Sequence, residues 1–288
     1  MAARLEFSID ALRYPVDVDQ QANDTQSEVT TALPTADTDT DVPEGYLPED
    51  YKIFAVLRDF LQPETGITLQ KAVETTLHIF PDGQTDHMRP VNTVCLELGR
   101  QIPYHHPSQL KLARFLWLFC RISDRLKKSS HEDPAVAHHT FYQHLQEDLA
   151  DNEFEPGDDG SALAEYVNYQ AFLANLTDMT LYLPRSCFAT RPLRDAFAGD
   201  HGEGVSVHEA WIMGAAMWIL YCGQALFKQI LYPENVDDGE ITGDEWRSWK
   251  EGFERVADGD GEGVGRECRG LAERAAVMMD GIERGMSF

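Results

Sequence analysis

The residues best placed to do chemistry are carboxylates and histidines spaced four apart, and each constellation stops short of a working set. His144 and Asp148 share one helix face, as do Glu74 and His78, so each pair offers two metal ligands. Neither comes with the second carboxylate or the Glu-x-x-His motif of a di-iron bundle, so no metal and no cofactor is expected. His208-Glu209 opens like a zinc-protease motif, but Ile212 stands where the second histidine belongs. Gly204-Val205-Ser206-Val207-His208 starts like a nucleophile elbow, with His208 in place of the closing glycine, and Ser206 fits a helix cap instead. Asp258, Asp260, Glu262 and Gly263 match the first half of a calcium loop, yet Arg269 occupies the place of the bidentate glutamate, which leaves a solvated acidic turn. Gly259, Gly261, Gly263 and Gly265 follow no strand and are flanked by acids that repel a phosphate. No catalytic residue can be assigned, which leans the reading away from an enzyme without closing it.

Binding residues are easier to nominate. Glu165, Asn168, Phe172, Asn175 and Met179 lie along one face of a helix expected over 161–182. Asparagines seven apart beside aromatic rings could form a polar network against the apolar segment 206–231, with Gln224 as natural partner. A partly solvated face accounts for the same pattern. Trp218 and Tyr221 join Asn168 as lining of an enclosed apolar pocket, while Trp246 and Trp249, if exposed, could anchor an interface.

The elements that must position these residues read as helices throughout. Apolar residues recur at helical spacing over 49–61, 68–80, 91–101, 108–126, 134–150, 161–182, 192–198, 206–231, 243–257 and 264–283. Ser206-x-x-Glu209 and Thr242-x-x-Glu245 spell capping boxes. No run alternates convincingly at period two, so the expected fold is all-α, an orthogonal multi-helix bundle around one central helix. That helix is the segment from Val207 to Tyr232, where between Ala210 and Phe227 only Gln224 is strongly polar. A bilayer span needs about 20 such residues, so the length is marginal, and Glu209 and Lys228 bracket it without a basic flank. Burial inside a helical body is the reading that gives the other apolar faces a partner. Ala210 and Gly214, four apart, would admit a close helix crossing there.

Composition limits the partners. Against 49 acidic side chains stand 24 basic ones, a net charge of −25 that repels nucleic acid and favours a basic protein, or serves solubility alone. Residues 1–50 hold twelve acids and two arginines, a net of −10 that leaves −15 on the rest. Residues 1–46 read as a disordered acidic tail, because from Val16 onward they offer too little to bury. Leu5, Ile9 and Leu12 fit a short amphipathic helix over 3–13 that could dock, or else a frayed end. Deletion of residues 1–45 is accordingly expected to leave the melting temperature nearly unchanged unless those three side chains occupy a groove. The helical domain would span 47–288. Five cysteines without metal-ligand spacing, and an N-terminus broken by Arg4 and Glu6, point to the cytoplasm or nucleus.

Three aromatic-rich blocks, in order, carry a family resemblance: Glu165 to Leu176, Ala215 to Gly223 and Trp246 to Phe253, followed by the last helix around Cys268, Leu271 and Ala272. Over roughly residues 50–284 the chain resembles an uncharacterised fungal family known as a domain of unknown function. The resemblance implies a soluble, all-helical fungal protein and carries no catalytic residues across; the acidic tail and the glycine-rich insert at 258–265 depart from it. The expected function is a non-enzymatic helical interaction protein that binds a protein partner in a groove between helices, with no membrane or nucleic acid. The alternative is a small-molecule carrier or enzyme with an enclosed pocket.

Overall fold

Two helices that are buried over most of their middle turns form the centre of the molecule, and the longer of them lies where the sequence is most apolar. A computed structural model describes residues 2–13, 42–43, 45–80, 88–129, 144–145, 147–149, 154–156, 160–179, 187–197, 204–232, 241–259 and 263–286. Among the described residues the regular elements are helices: α1 (Pro48–Phe60), α2 (Leu69–Leu77), α3 (Arg89–Gln101), α4 (Ser108–Ser129), α5 (Gly160–Asp178), α6 (Cys187–Asp195), α7 (Val205–Leu231), α8 (Gly243–Asp258) and α9 (Arg266–Met286). A single 3-10 turn, Asp10–Leu12, precedes them. The protein is all-α. Most of the helix expected over 134–150 lies outside the described residues, although Leu145 and Leu149 are buried as its apolar face requires.

The α5–α7 pair is the largest interface in the fold. Helices α1 to α4 pack among themselves and reach α5 through α3 and α4; α6 and α9 pack on α7, and α8 packs on α9. By length and composition α7 could cross a membrane, but 72% of its most apolar 18-residue window is buried inside this fold. A helix that is apolar all round and enclosed by other helices is a core helix. Helix α5 goes further, because every residue from Tyr166 to Leu176 is buried. The expected bundle around a central apolar helix is what the structure has, and α5 is its most extensively packed neighbour.

Gly214 sets the distance between them. A β-carbon there would meet Cε1 of Tyr166 at 2.6 Å and Cγ of Gln170 at 3.0 Å. The Tyr166 ring is fully buried and has no free direction in which to retreat. Gly214→Ala should therefore destabilise the fold by about 1–3 kcal/mol, the usual cost of overpacking, despite the better helix propensity of alanine. Chemical denaturation measures it, and a stabilised variant would mean that α5 and α7 are further apart than described.

Local chemistry fixes the element ends. Pro48 opens α1 at its first turn with Glu49 and Asp50 beside it. Thr242 and Glu245 form the expected capping box at the start of α8, which ends on Gly259 at φ +89°, the left-handed cap that glycine allows. The second expected box is absent. Helix α7 begins at Val205 with Gly204 as its cap, so Ser206 lies inside it, and the Glu209 carboxylate instead accepts the Gly265 N–H just before α9. An orphan amide at the neighbouring helix start thus claims the carboxylate that the box would have used.

Asp50 carries a pH signature. It is buried, and that burial, with Glu49 adjacent, pushes its carboxyl up to about 6. An unfolded aspartate titrates near 4, so the folded chain binds the extra proton and loses stability as pH rises from about 4 to 6. Asp50→Asn should therefore exceed the wild type by about 1–2 kcal/mol at pH 7, less than two full pKa units because the α1 N-terminus favours the anion. At pH 4 the difference should vanish. Denaturant midpoints at the two pH values check this, and an equal gap at both would show that Asp50 titrates normally.

Candidate functional site

Asn168, on the buried face of α5, ties three pieces of chain together. Its Oδ1 accepts the Tyr104 N–H at 2.8 Å and its Nδ2 donates to the Arg100 carbonyl at 2.8 Å. Its own carbonyl accepts from Nε2 of Gln109, which also donates to the carbonyls of Gly99 and Ile102. The end of α3, the turn at 102–107 and the start of α4 are thus held on α5 by two amides that satisfy carbonyls left open where α3 stops. Tyr221, on α7, enters the same junction: its hydroxyl donates to the Tyr104 carbonyl at 3.0 Å, while the Tyr104 hydroxyl donates to Oε1 of Glu267 on α9 at 2.7 Å.

The other nominated residues are dispersed. Trp218 is fully buried and its indole N–H donates to Oε1 of Gln170 at 2.8 Å, so a polar link between α5 and α7 runs through Gln170. Gln224 faces solvent on the far side of α7 and does not meet the asparagines. Asn175 turns back on its own helix and donates to the Ala171 carbonyl at 2.8 Å, and Glu165 is half-buried. Trp246 and Trp249 are both buried, which removes them as interface anchors. Trp246 packs on Phe227 and donates to Glu283 of α9, whose carboxylate also accepts from Lys250. Both sit on the apolar side of an amphipathic helix, and packing against α7 and α9 claims that side.

Burial pushes the thiols of Cys222 and Cys268 up to about 12, and that of Cys95 upward as well, so these three stay protonated at neutral pH. Burial, and next the bond to Glu267, raises the Tyr104 hydroxyl, so it stays a proton donor. Among the described residues no group of three His, Cys, Asp or Glu is placed to hold a metal ion. Asp148 is engaged by Arg89 and Asn92 of α3, at 2.6 and 3.0 Å. Helix α5 also carries two buried hydroxyls, those of Tyr166 and Tyr169, with no hydrogen-bond partner among the described residues; the charged surroundings of Tyr166 are Asp195, Arg191 and Glu155.

Of the two alternatives left open for the N-terminus, a docked segment or a frayed end, the structure shows the docked one. Residues 2–13 run across the body and do not fray. Leu5, Phe7 and Ile9 turn inward against the core, Glu6, Ser8 and Asp10 point outward, and Leu12 is buried. Residues 2–9 form no helix, and a 3-10 turn at Asp10–Leu12 follows them, which corrects the helix over 3–13. The signal was present as Leu-Glu-Phe-Ser-Ile-Asp, a period-two alternation. Three side chains read its main chain. Gln62, just past α1, accepts the Leu5 N–H at 3.2 Å and donates to the Leu5 carbonyl at 3.1 Å. Gln101, at the end of α3, does the same for Ser8, at 2.8 Å in each direction. His106 takes its proton on Nε2, because Nδ1 accepts from Ser108, and donates to the Ala3 carbonyl at 3.0 Å. The tail expected from residue 14 to 41 lies outside the described residues.

The family model for a protein of unknown function (DUF3632) matches residues 93–259, more than half of the chain, so the chain belongs to that family. The match runs from α3 to the end of α8, narrower than the 50–284 of the resemblance, and leaves the last helix outside it. No curated protein and no solved structure matches the chain.

Proposed function

We propose that this DUF3632 member is a non-enzymatic protein-interaction protein of fungal origin, working in the cytoplasm or nucleus. It binds a basic protein segment in a groove between helices, and its acidic surface selects the partner. The observation that carries the reading is the docked segment 2–13, a stretch of chain held by side chains that contact its main chain. The polar residues nominated for binding, by contrast, spend these hydrogen bonds on the end of α3, on their own helix and on Gln170. Affinity capture with the whole chain from a fungal extract, followed by titration of the purified partner, tests it. Saturable binding of a purified protein supports the reading; tight retention of a metabolite with no protein above background would end it.

A second reading, a small-molecule carrier, draws on the Tyr166 hydroxyl, buried and without a hydrogen-bond partner beside α6. A ligand there would raise the melting temperature of the wild type and not of Tyr166→Phe. Equal shifts in both would place the ligand elsewhere.

A further inference from the structure

We propose that the surface formed by Gln62, the last turn of α3 and the turn at 102–107 is a binding site for an extended peptide of another protein, with residues 2–13 as its resident competitor. The inference rests on the interaction reading and gives it a place. Each recognition group is positioned before any peptide arrives. Gln62 is held by a bond from its Nε2 to the Arg58 carbonyl, and its own carbonyl accepts from Lys111. Gln101 is held by Glu97, and His106 by Ser108. Pre-organised amides that satisfy both the N–H and the C=O of one residue bind main chain, and so tolerate many sequences.

The resident shows what side chains fit. Apolar groups enter at positions 5, 7 and 9, a spacing of two that only extended chain can present, and a fourth enters at position 12. Main-chain N–H and C=O must be free at the first position and at the one three residues later, where Gln62 and Gln101 act. The outward positions are Glu6, Ser8 and Asp10 in the resident. Residues 51–288 carry a net charge of −15, so a foreign peptide with lysine or arginine at those positions is favoured where the resident places two acids. The partner is an extended segment of apolar-basic alternation.

The tether makes the resident a competitor. Residues 14–47 join it to α1, and a linker of that order holds its own end near the site at about millimolar effective concentration. Exchange is tested with the full chain, folded and then cut at a protease site inserted between residues 14 and 41. Fluorescent peptide of residues 2–13 should enter the cut chain saturably and the uncut chain at least about ten-fold more weakly. Gln62→Ala with Gln101→Ala should weaken uptake at least about ten-fold while the helical signal stays. Peptide with Glu6→Lys and Asp10→Lys should bind about three-fold or more tighter at low salt. Absence of uptake, equal uptake of a scrambled peptide, indifference to the two glutamines, or loss of cooperative melting on cutting would each overturn the site. No gain from the lysines would overturn the basic partner. A concentration-dependent dimer of the uncut chain, lost in the glutamine variants, would make a second copy the occupant and overturn the foreign peptide. Failed uptake leaves the interaction reading standing, since a captured partner would sit elsewhere; failed capture ends that reading, while glutamine-dependent uptake still establishes the groove.

Discussion

Trp218→Ala should destabilise the protein by about 3–5 kcal/mol, the usual cost of truncating a large buried aromatic. Trp218 is fully buried near the middle of α7, and its indole N–H holds Oε1 of Gln170 on α5. Alanine leaves both a cavity and a buried amide oxygen without its donor. The second term separates the two helices' roles: Trp218→Phe fills most of the volume and still loses the bond, so it should cost about 1–3 kcal/mol. Denaturation of the two purified variants measures both. A loss near zero for alanine would mean that the indole is not enclosed, and α7 would cease to be the centre of the fold.

The second large effect is expected at the other end of the chain. Deleting residues 1–45 should lower the melting temperature by about 5 °C or more, which at this chain size corresponds to roughly 2 kcal/mol. Two terms compete. Residues 1–45 carry ten acids and two arginines, and their removal relieves repulsion from an acidic body. It also strips Leu12 from the core, uncovers the apolar surface beneath Leu5, Phe7 and Ile9, and leaves Gln62, Gln101 and His106 without the chain they bind. Exposed charges on such a tail are screened by salt within about 10 Å, whereas buried apolar area is not, so the packing term prevails. Thermal melts of the full-length and truncated chains, repeated at high salt, decide it. An unchanged melting temperature would restore the expectation of an independent tail.

Helices were legible because their signal is repeated many times within each element. The apolar positions of α1, α3, α4 and α9 recur at helical spacing over several turns, prolines open α1 and α3, and Thr242 and Gly259 bound α8. Burial of α7 was legible for the same reason. The candidate site was not, because partner choice depends on contacts between distant residues. Nothing in the local sequence says that Gln170 and Trp218, and not the asparagines and Gln224, make the polar link between α5 and α7. Trp246 and Trp249 looked available for an interface until α9, whose Glu283 meets Trp246, was in place. The shape of the N-terminal strap was misread through a period error. Leu5, Ile9 and Leu12 satisfy a helical spacing, but Phe7 breaks that face and completes an alternating one. Six residues are too few for either pattern to declare itself without the groove that the strap occupies.

Amide hydrogen exchange on the intact chain at residue resolution tests the central claim most directly. The account places the N–H of Leu5 on Gln62 and the N–H of Ser8 on Gln101, in a segment that would otherwise belong to a solvated tail. It predicts that these two amides exchange about a hundred-fold or more slowly than in the free peptide of residues 2–13. Gln62→Ala should release Leu5 first, and Gln101→Ala should release Ser8 first. Exchange of both amides at free-peptide rates in the wild type would contradict the docked segment, and with it the groove on which the proposed function stands.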